Sequence, residues 1–167
     1  MRLGVVLATA LSALPFSASA DPLSLSASPG YFNAKMLGPS ANTGRVSASV
    51  RLVSFNGAQG WPPAAYVGFQ QGPNRDHSVQ FLVIRNRDSD PYLVAGYRVI
   101  EGGKESKVQS LANLPLEATA RVLMSFKAGE VTLRLNDQAP IQIHTSMAEA
   151  APYVSVSSGM AEFNVDP

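Results

Sequence analysis

Apolar and polar residues alternate through most of the chain from residue 45 to residue 167. Turn-forming Gly, Pro, Asn and Asp residues interrupt this alternation about every eight to twelve positions. Successive side chains of a β-strand point to opposite faces, so a period of two is typical of strands with one face in a core. The pattern therefore predicts an all-β domain, built as a two-sheet antiparallel β-sandwich.

The alternation also predicts the individual strands and their buried faces. The predicted strands are residues 46–53, 65–70, 79–84, 92–100, 118–126, 131–135, 141–143, 153–157 and 160–165. Residues 79–84 are apolar on both faces apart from Gln80, which is typical of a central strand. The predicted core residues are Val50, Phe69, Phe81, Val122, Met124, Leu133, Leu135 and Phe163.

The N-terminus has the pattern of an export signal. Met1 and Arg2 precede an apolar stretch at residues 3–16, and Ala18-Ser19-Ala20 resembles a cleavage site. This arrangement predicts a signal peptide at residues 1–20 and a location in the periplasm or outside the cell. The stretch is shorter than the ~20 apolar residues of a membrane span, so we expect no stable membrane insertion after cleavage. The sequence then predicts a lead-in segment at residues 21–44, which includes an edge strand near residues 23–27. The predicted β-sandwich domain follows at residues 45–167.

Composition narrows the classes of partner. The chain has 13 basic and 12 acidic residues, and removal of Arg2 with the signal leaves these charges balanced. Nucleic-acid binding depends on clustered Lys and Arg, so nucleic acid is excluded as an expected partner. Near-neutrality also argues against polyanions as main partners. The chain has no cysteine, which excludes disulfides, thiolate metal sites and a cysteine nucleophile.

Two segments of the second half resemble a known family. Residues 121–137 form a strand, a Gly-containing turn at Ala128-Gly129-Glu130 and a second strand that leads into Asn136-Asp137. Residues 152–165 place a small-residue turn before the strand that contains Phe163 and Val165. Both resemble concanavalin A-like lectin/glucanase domains, which include laminin G-like modules. One departure is Gln138, where Gly usually follows the acidic residue. The resemblance implies a jelly roll with one concave face, in a family whose members bind sugars, hydrolyse glycans or bind proteins.

The glutamates do not form the catalytic pattern of the family's glucanases. Those enzymes carry Glu-x-Asp-x-x-Glu on one strand, and retaining glycosidases need two carboxylates about 5 Å apart. No such run occurs here. Glu101 and Glu105 flank the Gly102-Gly103 turn, and Glu162 is alone on its strand. No catalytic residue is predicted, although a carboxylate pair brought together from distant strands is left open.

Metal and cofactor sites are not expected either. Asp88-Ser89-Asp90 has the acidic spacing of a calcium loop but lacks the following Gly and the distal Glu, so a turn before Pro91 is favoured. His77 and His144 have no ligand partner at a suitable spacing, and we interpret both as ordinary surface histidines.

A few polar and aromatic side chains remain as candidates for ligand binding. Arg51, Tyr66, Gln70 and Arg98 fall on strand faces opposite apolar neighbours, and Trp61 stands in a rigid loop with Pro62 and Pro63. Planar donors and exposed rings suit sugar hydroxyls and sugar faces. The favoured function is an exported, non-catalytic binding module for carbohydrate or another envelope polymer. A divergent glycan-active hydrolase and a protein-interaction domain are the alternatives.

Overall fold

Ten antiparallel strands make up the fold. The computed structural model describes residues 22–55 and 57–166, so the predicted signal peptide and Asp21 lie outside the described residues. The strands are β1 Leu23–Met36, β2 Thr43–Phe55, β3 Ala64–Gln71, β4 His77–Ile84, β5 Tyr92–Glu101, β6 Lys104–Pro115, β7 Ala120–Lys127, β8 Glu130–Leu135, β9 Ile141–His144 and β10 Ala151–Asp166. The described residues include no helix, and hence none that could cross a membrane.

The strands form two sheets that share β1 and β10. The hydrogen-bonded order is β6-β5-β4-β3-β10-β2-β7-β8-β9, and β1 pairs with β10. The first half of β10 pairs with β3 and with the end of β1, whereas its second half pairs with β2 and with the start of β1. Because β2 also contacts β3 and β4, the curled sheet folds over and its two halves face each other across the core. The predicted all-β jelly-roll sandwich is confirmed.

The bend of β10 between the sheets lies at Ser158 and Gly159. Their φ angles are 49° and 152°, which extended strands do not use. A Cβ on Gly159 would lie 2.4 Å from the backbone oxygen of Ser54, so β2 approaches too closely for any side chain there. The Ser158 hydroxyl accepts a hydrogen bond from the Gly30 N–H at 2.9 Å, where β1 shifts its register beside the bend.

The core lies between the sheets and consists of the inward residues that the alternation predicts. All eight predicted core residues are buried. Phe69 of β3 and Phe126 of β7 meet across the sandwich with ring centroids 5.6 Å apart. Tight packing of this kind, rather than disulfides, stabilises the fold.

Three elements differ from the strands predicted from the sequence. β1 is 14 residues long and extends well beyond the short edge strand expected near residue 25. β6 was not predicted, because residues 104–110 are exposed and mostly polar and so lack the alternation of a half-buried strand. The two predicted strands at 153–157 and 160–165 are parts of the single strand β10. The turn predicted at Gly102-Gly103 does join β5 to β6, with both glycines at positive φ.

Candidate functional site

One outer surface of the sandwich is unusually polar, and we call it the polar face. It is the side of β10, β3, β4, β5 and β6 that points away from the core. Strand register arranges its residues in three rows across the sheet. The rows are Ala151–Gln70–Ser78–Ile100–Glu105, Tyr153–Gly68–Gln80–Arg98–Val108 and Ser155–Tyr66–Leu82–Gly96–Ser110.

Hydrogen bonds fix several side chains of the polar face. Arg98 donates from Nε to Gln80 Oε1 at 2.6 Å, and Gln80 donates from Nε2 to Ser78 Oγ at 2.9 Å. Gln70 donates from Nε2 to the Gly72 carbonyl at 3.0 Å, at the start of the loop before β4. Gln80 thereby holds Arg98 at a set position, while the two terminal nitrogens of that guanidinium group stay free to donate.

Three buried polar atoms on this face lack a hydrogen-bond partner. Among the described residues, these atoms are Gln70 Oε1, Tyr153 OH and Ser155 Oγ. Burial raises the pKa of Tyr153, and the charges of Arg75 and Arg98 oppose that effect. The nearby Ser78 side chain also lowers the pKa of Tyr153. The Tyr153 hydroxyl nevertheless forms no hydrogen bond of normal geometry with it. Unpaired buried polar atoms are rare in folded proteins and need a specific explanation. Here all three belong to neighbouring strands of one face.

Two arginines lie against a pair of aromatic rings on the polar face. The guanidinium carbon of Arg75 is 3.6 Å from the ring centroid of Phe32, and that of Arg98 is 4.8 Å from the ring of Tyr66. The two rings are themselves 6.5 Å apart. Burial lowers the pKa of Arg75; Tyr153 and Tyr66 oppose this, and the charge of Arg98 adds to it. Arg75 nevertheless stays charged at neutral pH, because a guanidinium group titrates far above it.

A groove opens beside Arg98 on the polar face. It has a volume of about 190 Å³ and runs between β3, β4, β5 and β6. Tyr66, Arg98 and Ser110 are among its polar lining residues, and Leu82 and Val108 supply apolar surface. Val108 is 56% exposed, which is high for an aliphatic side chain of a strand. A groove that joins apolar surface to a few fixed donors can hold a small organic ligand.

The structure brings together three of the five residues predicted to bind ligand. Tyr66, Gln70 and Arg98 share the polar face. Arg51 lies on the outer side of β2 in the other sheet, where its Nη1 atom is 3.9 Å from Oε2 of Glu162 on β10. Trp61 lies in the loop before β3 and is 47% exposed, beside a separate depression of about 330 Å³.

The depression beside Trp61 is built from two loops. Arg85 donates to the backbone oxygens of Asp88 and Asp90, and its guanidinium group lies 4.9 Å from the ring of Phe55. Asp90 Oδ2 accepts a hydrogen bond from the Arg87 N–H at 3.1 Å, so the acidic residues form a turn, as expected. No group of three potential metal ligands occurs within residues 22–55 and 57–166.

A second polar cluster joins the end of β5 to the segment before β10. His77 Nδ1 lies 2.9 Å from Glu101 Oε2 and 3.1 Å from Ser146 Oγ. His77 therefore lies at the surface, with its side chain 39% exposed, but it has polar partners that the sequence does not indicate. Glu101 also accepts hydrogen bonds from the Ser146 N–H and the Thr145 hydroxyl, each at 3.0 Å. Partial burial raises the pKa of Glu101, but the hydrogen bonds from Ser146, His77 and Thr145 outweigh it and bring the pKa to about 2.

This cluster is not arranged as a catalytic triad. In a triad, the acid and the nucleophile bond to different nitrogens of the imidazole. Here Glu101 and Ser146 both face Nδ1 of His77. They also hydrogen-bond directly to each other. The cluster therefore links two segments of the chain and offers no relay for a proton.

Several residues of the polar face are not predicted by the sequence. Arg75 lies in a loop and has no periodic pattern around it, so nothing in the sequence assigns it to this surface. Phe32 lies in the part of β1 that was not predicted as a strand. Gln80 did leave a signal, since it interrupts a predicted strand that is otherwise apolar on both faces.

Comparison with known proteins identifies the fold. No protein-family model and no curated protein sequence matches the chain. Among solved structures, the carbohydrate-binding module CBM66 from Bacillus subtilis matches with a TM-score of 0.59 and 15% identity, over 83% of this chain and 82% of the module. The β-glucanase of Bacillus licheniformis matches with a TM-score of 0.54 and 10% identity, over 86% of this chain and 75% of the glucanase. Chicken galectin 2 matches with a TM-score of 0.50 and 10% identity, over 80% of this chain and 97% of the galectin. The chain therefore has the concanavalin A-like jelly-roll fold that its sequence resembles.

Proposed function

We propose that this chain is an exported module that binds carbohydrate on the polar face without hydrolysing it. The observation that carries the proposal is the groove beside Arg98, where Tyr66, Arg98 and Ser110 offer hydrogen-bonding groups next to apolar surface. Sugars present both hydroxyls and apolar C–H faces, so a mixed lining of this kind suits them. Two of the structural neighbours, a carbohydrate-binding module and a β-glucanase, are named for carbohydrate, which supports the same ligand class by analogy of fold.

The lining of the groove favours binding over hydrolysis. Retaining and inverting glycosidases both need two carboxylates, on either side of the scissile bond. Of the residues that line the groove, Glu105 alone carries a carboxylate. A single carboxylate does not provide the acid and the nucleophile or base that the reaction requires. Export is proposed on the signal-like sequence of residues 1–20.

A glycan array followed by calorimetry on the mature protein tests the proposal. Val108→Gln replaces the exposed apolar residue of the groove by a longer amide, and we expect at least tenfold weaker binding of any array hit. Ser125→Gln introduces the same side chain at an exposed position of β7, on the other sheet, and serves as the matched control. Equal loss in both variants, or release of reducing sugar from the bound glycan, would refute the proposal.

A further inference from the structure

The two arginines of the polar face have no acidic partner. Neither Arg75 nor Arg98 lies within 4.0 Å of a carboxylate in the part of the chain that the structure describes. Asp76 follows Arg75 directly, but its carboxylate lies beside Gly103 at the β5–β6 turn. Glu105 lines the groove and also forms no ion pair with either arginine. Partly buried cations without a counter-charge are costly, so this pair is unusual for a purely structural role.

The arrangement of the two guanidinium groups is fixed before any ligand binds. Arg75 stacks on Phe32, Arg98 stacks on Tyr66, and those two rings lie 6.5 Å apart. Arg98 is held further by its hydrogen bond to Gln80. Stacking uses the planar faces of the guanidinium groups and leaves the N–H groups at their edges able to donate. The result is two adjacent, preorganised sets of charged donors.

A second observation points to the same surface as a place for a polar ligand. In the part of the chain that the structure describes, the buried atoms without a hydrogen-bond partner are Gln70 Oε1 on β3 and Tyr153 OH and Ser155 Oγ on β10, all on the polar face. Arg75 and Arg98 are close enough to Tyr153 to act on its phenol electrostatically. The polar face thus combines unpaired cations with unpaired neutral groups. A face with only a structural role would satisfy such groups internally.

We propose that the polar face recognises a carboxylate-bearing glycan, such as a chain of uronic acid residues, through the guanidinium groups of Arg75 and Arg98. This inference rests on the proposed function, because the sugar itself occupies the neighbouring groove. A planar carboxylate matches the fork of N–H donors on a guanidinium group and can accept two parallel hydrogen bonds from it. This proposal departs from the expectation, drawn from the balanced net charge, that polyanions are not main partners. A local pair of cations acts on a ligand within about one Debye length, ~8–10 Å at physiological salt, whatever the net charge of the whole chain.

The test compares one glycan with and without its charge. Calorimetry on the mature protein uses oligogalacturonate and its fully methyl-esterified form, in which the carboxylate is neutral and the sugar ring is unchanged. We expect the acid to bind at least tenfold more tightly than the ester. Arg75→Gln, which lies outside the groove, should weaken binding of the acid by about tenfold or more and change binding of the ester by less than about threefold. Arg98→Gln should weaken binding of both forms, because Arg98 also lines the groove, but the loss should be larger for the acid than for the ester. Arg134 is exposed on β8 of the other sheet, and Arg134→Gln also removes one positive charge. This control variant should change neither binding of the acid nor binding of the ester.

The outcomes separate this inference from the proposed function. Equal affinity for the acid and the ester overturns the carboxylate inference but leaves carbohydrate binding intact. Binding of neither form, nor of any neutral glycan on the array, overturns both. Arg98→Lys keeps the charge but loses the fork, so partial recovery of acid binding relative to Arg98→Gln supports direct recognition. Urea unfolding of each variant identifies any loss that comes from misfolding. If the variants weaken binding only in proportion to lost stability, the inference is wrong.

Discussion

Replacing Glu101 by Gln tests whether the cluster of Glu101, His77, Thr145 and Ser146 stabilises the fold through the charge of the carboxylate. Its hydrogen bonds favour the ionised carboxylate, and the pKa of Glu101 falls from 4.5 to about 2 on folding, despite the opposing effect of burial. Because the folded-state pKa is the lower one, the unfolded chain binds this proton more readily. The stabilisation is therefore fully present above pH 4.5 and is lost as the pH falls towards 2.

The size of this effect follows from the pKa values. One pKa unit corresponds to about 1.4 kcal/mol, so the fall from 4.5 to about 2 sets an upper limit of roughly 3 kcal/mol on the stabilisation at neutral pH. The Glu101 side chain is 28% exposed, and partial screening by solvent reduces that limit. We expect Glu101→Gln to lower the free energy of unfolding at pH 7 by roughly 1–3 kcal/mol.

Urea unfolding at pH 7, 5, 4 and 3 measures the difference between the wild type and Glu101→Gln. That difference should be constant above pH 5 and fall to roughly half or less by pH 3, because Gln does not titrate. Glu105→Gln, on the exposed side of the same turn, is the matched control and should change stability by less than about 0.5 kcal/mol. A difference that does not depend on pH would show that shape, and not the ionised carboxylate, is what matters at this position.

Three further predictions concern the core, the bend of β10 and export. Leu133→Ala removes a fully buried side chain and should cost about 2–5 kcal/mol in urea unfolding; a loss below about 0.5 kcal/mol would mean that its face is misassigned. Gly159→Ala should destabilise the fold by more than about 1 kcal/mol, and by more than Gly60→Ala, because Gly60 has positive φ but open space around its Cα. N-terminal sequencing of exported protein should begin at Asp21, and retention of residues 1–20 would contradict the proposed cleavage.

The sequence predicts the fold where one strand face meets the core and the other meets water. β8 illustrates this, because Val131, Leu133 and Leu135 alternate strictly with polar residues. β6 is an edge strand with little burial, so its sequence carries no such period and it was not predicted.

The candidate site was predictable only in part, for a geometric reason. A period of two identifies which side chains point away from the core, but it does not tell which of the two sheets they belong to. Arg51 and Arg98 therefore look equivalent in sequence, although they lie on opposite surfaces of the sandwich. Arg75 reaches the polar face from a loop, and only the tertiary structure brings it to Phe32.

The position of β10 also bears on how the chain reaches its native state. β10 joins the two sheets, yet it is formed by residues 151–166, the last that the structure describes. Without it, β3 and β2 lose the strand that joins them, and β1 loses the strand with which it pairs. Contacts such as the Gly30–Ser158 hydrogen bond connect residues 128 positions apart. Topologies dominated by such distant pairings fold slowly, because the loop-closure entropy is lost before the contacts form. We therefore expect a chain emerging from a ribosome or a translocation channel to stay unfolded until residue 166 is free, and then to fold cooperatively as one unit.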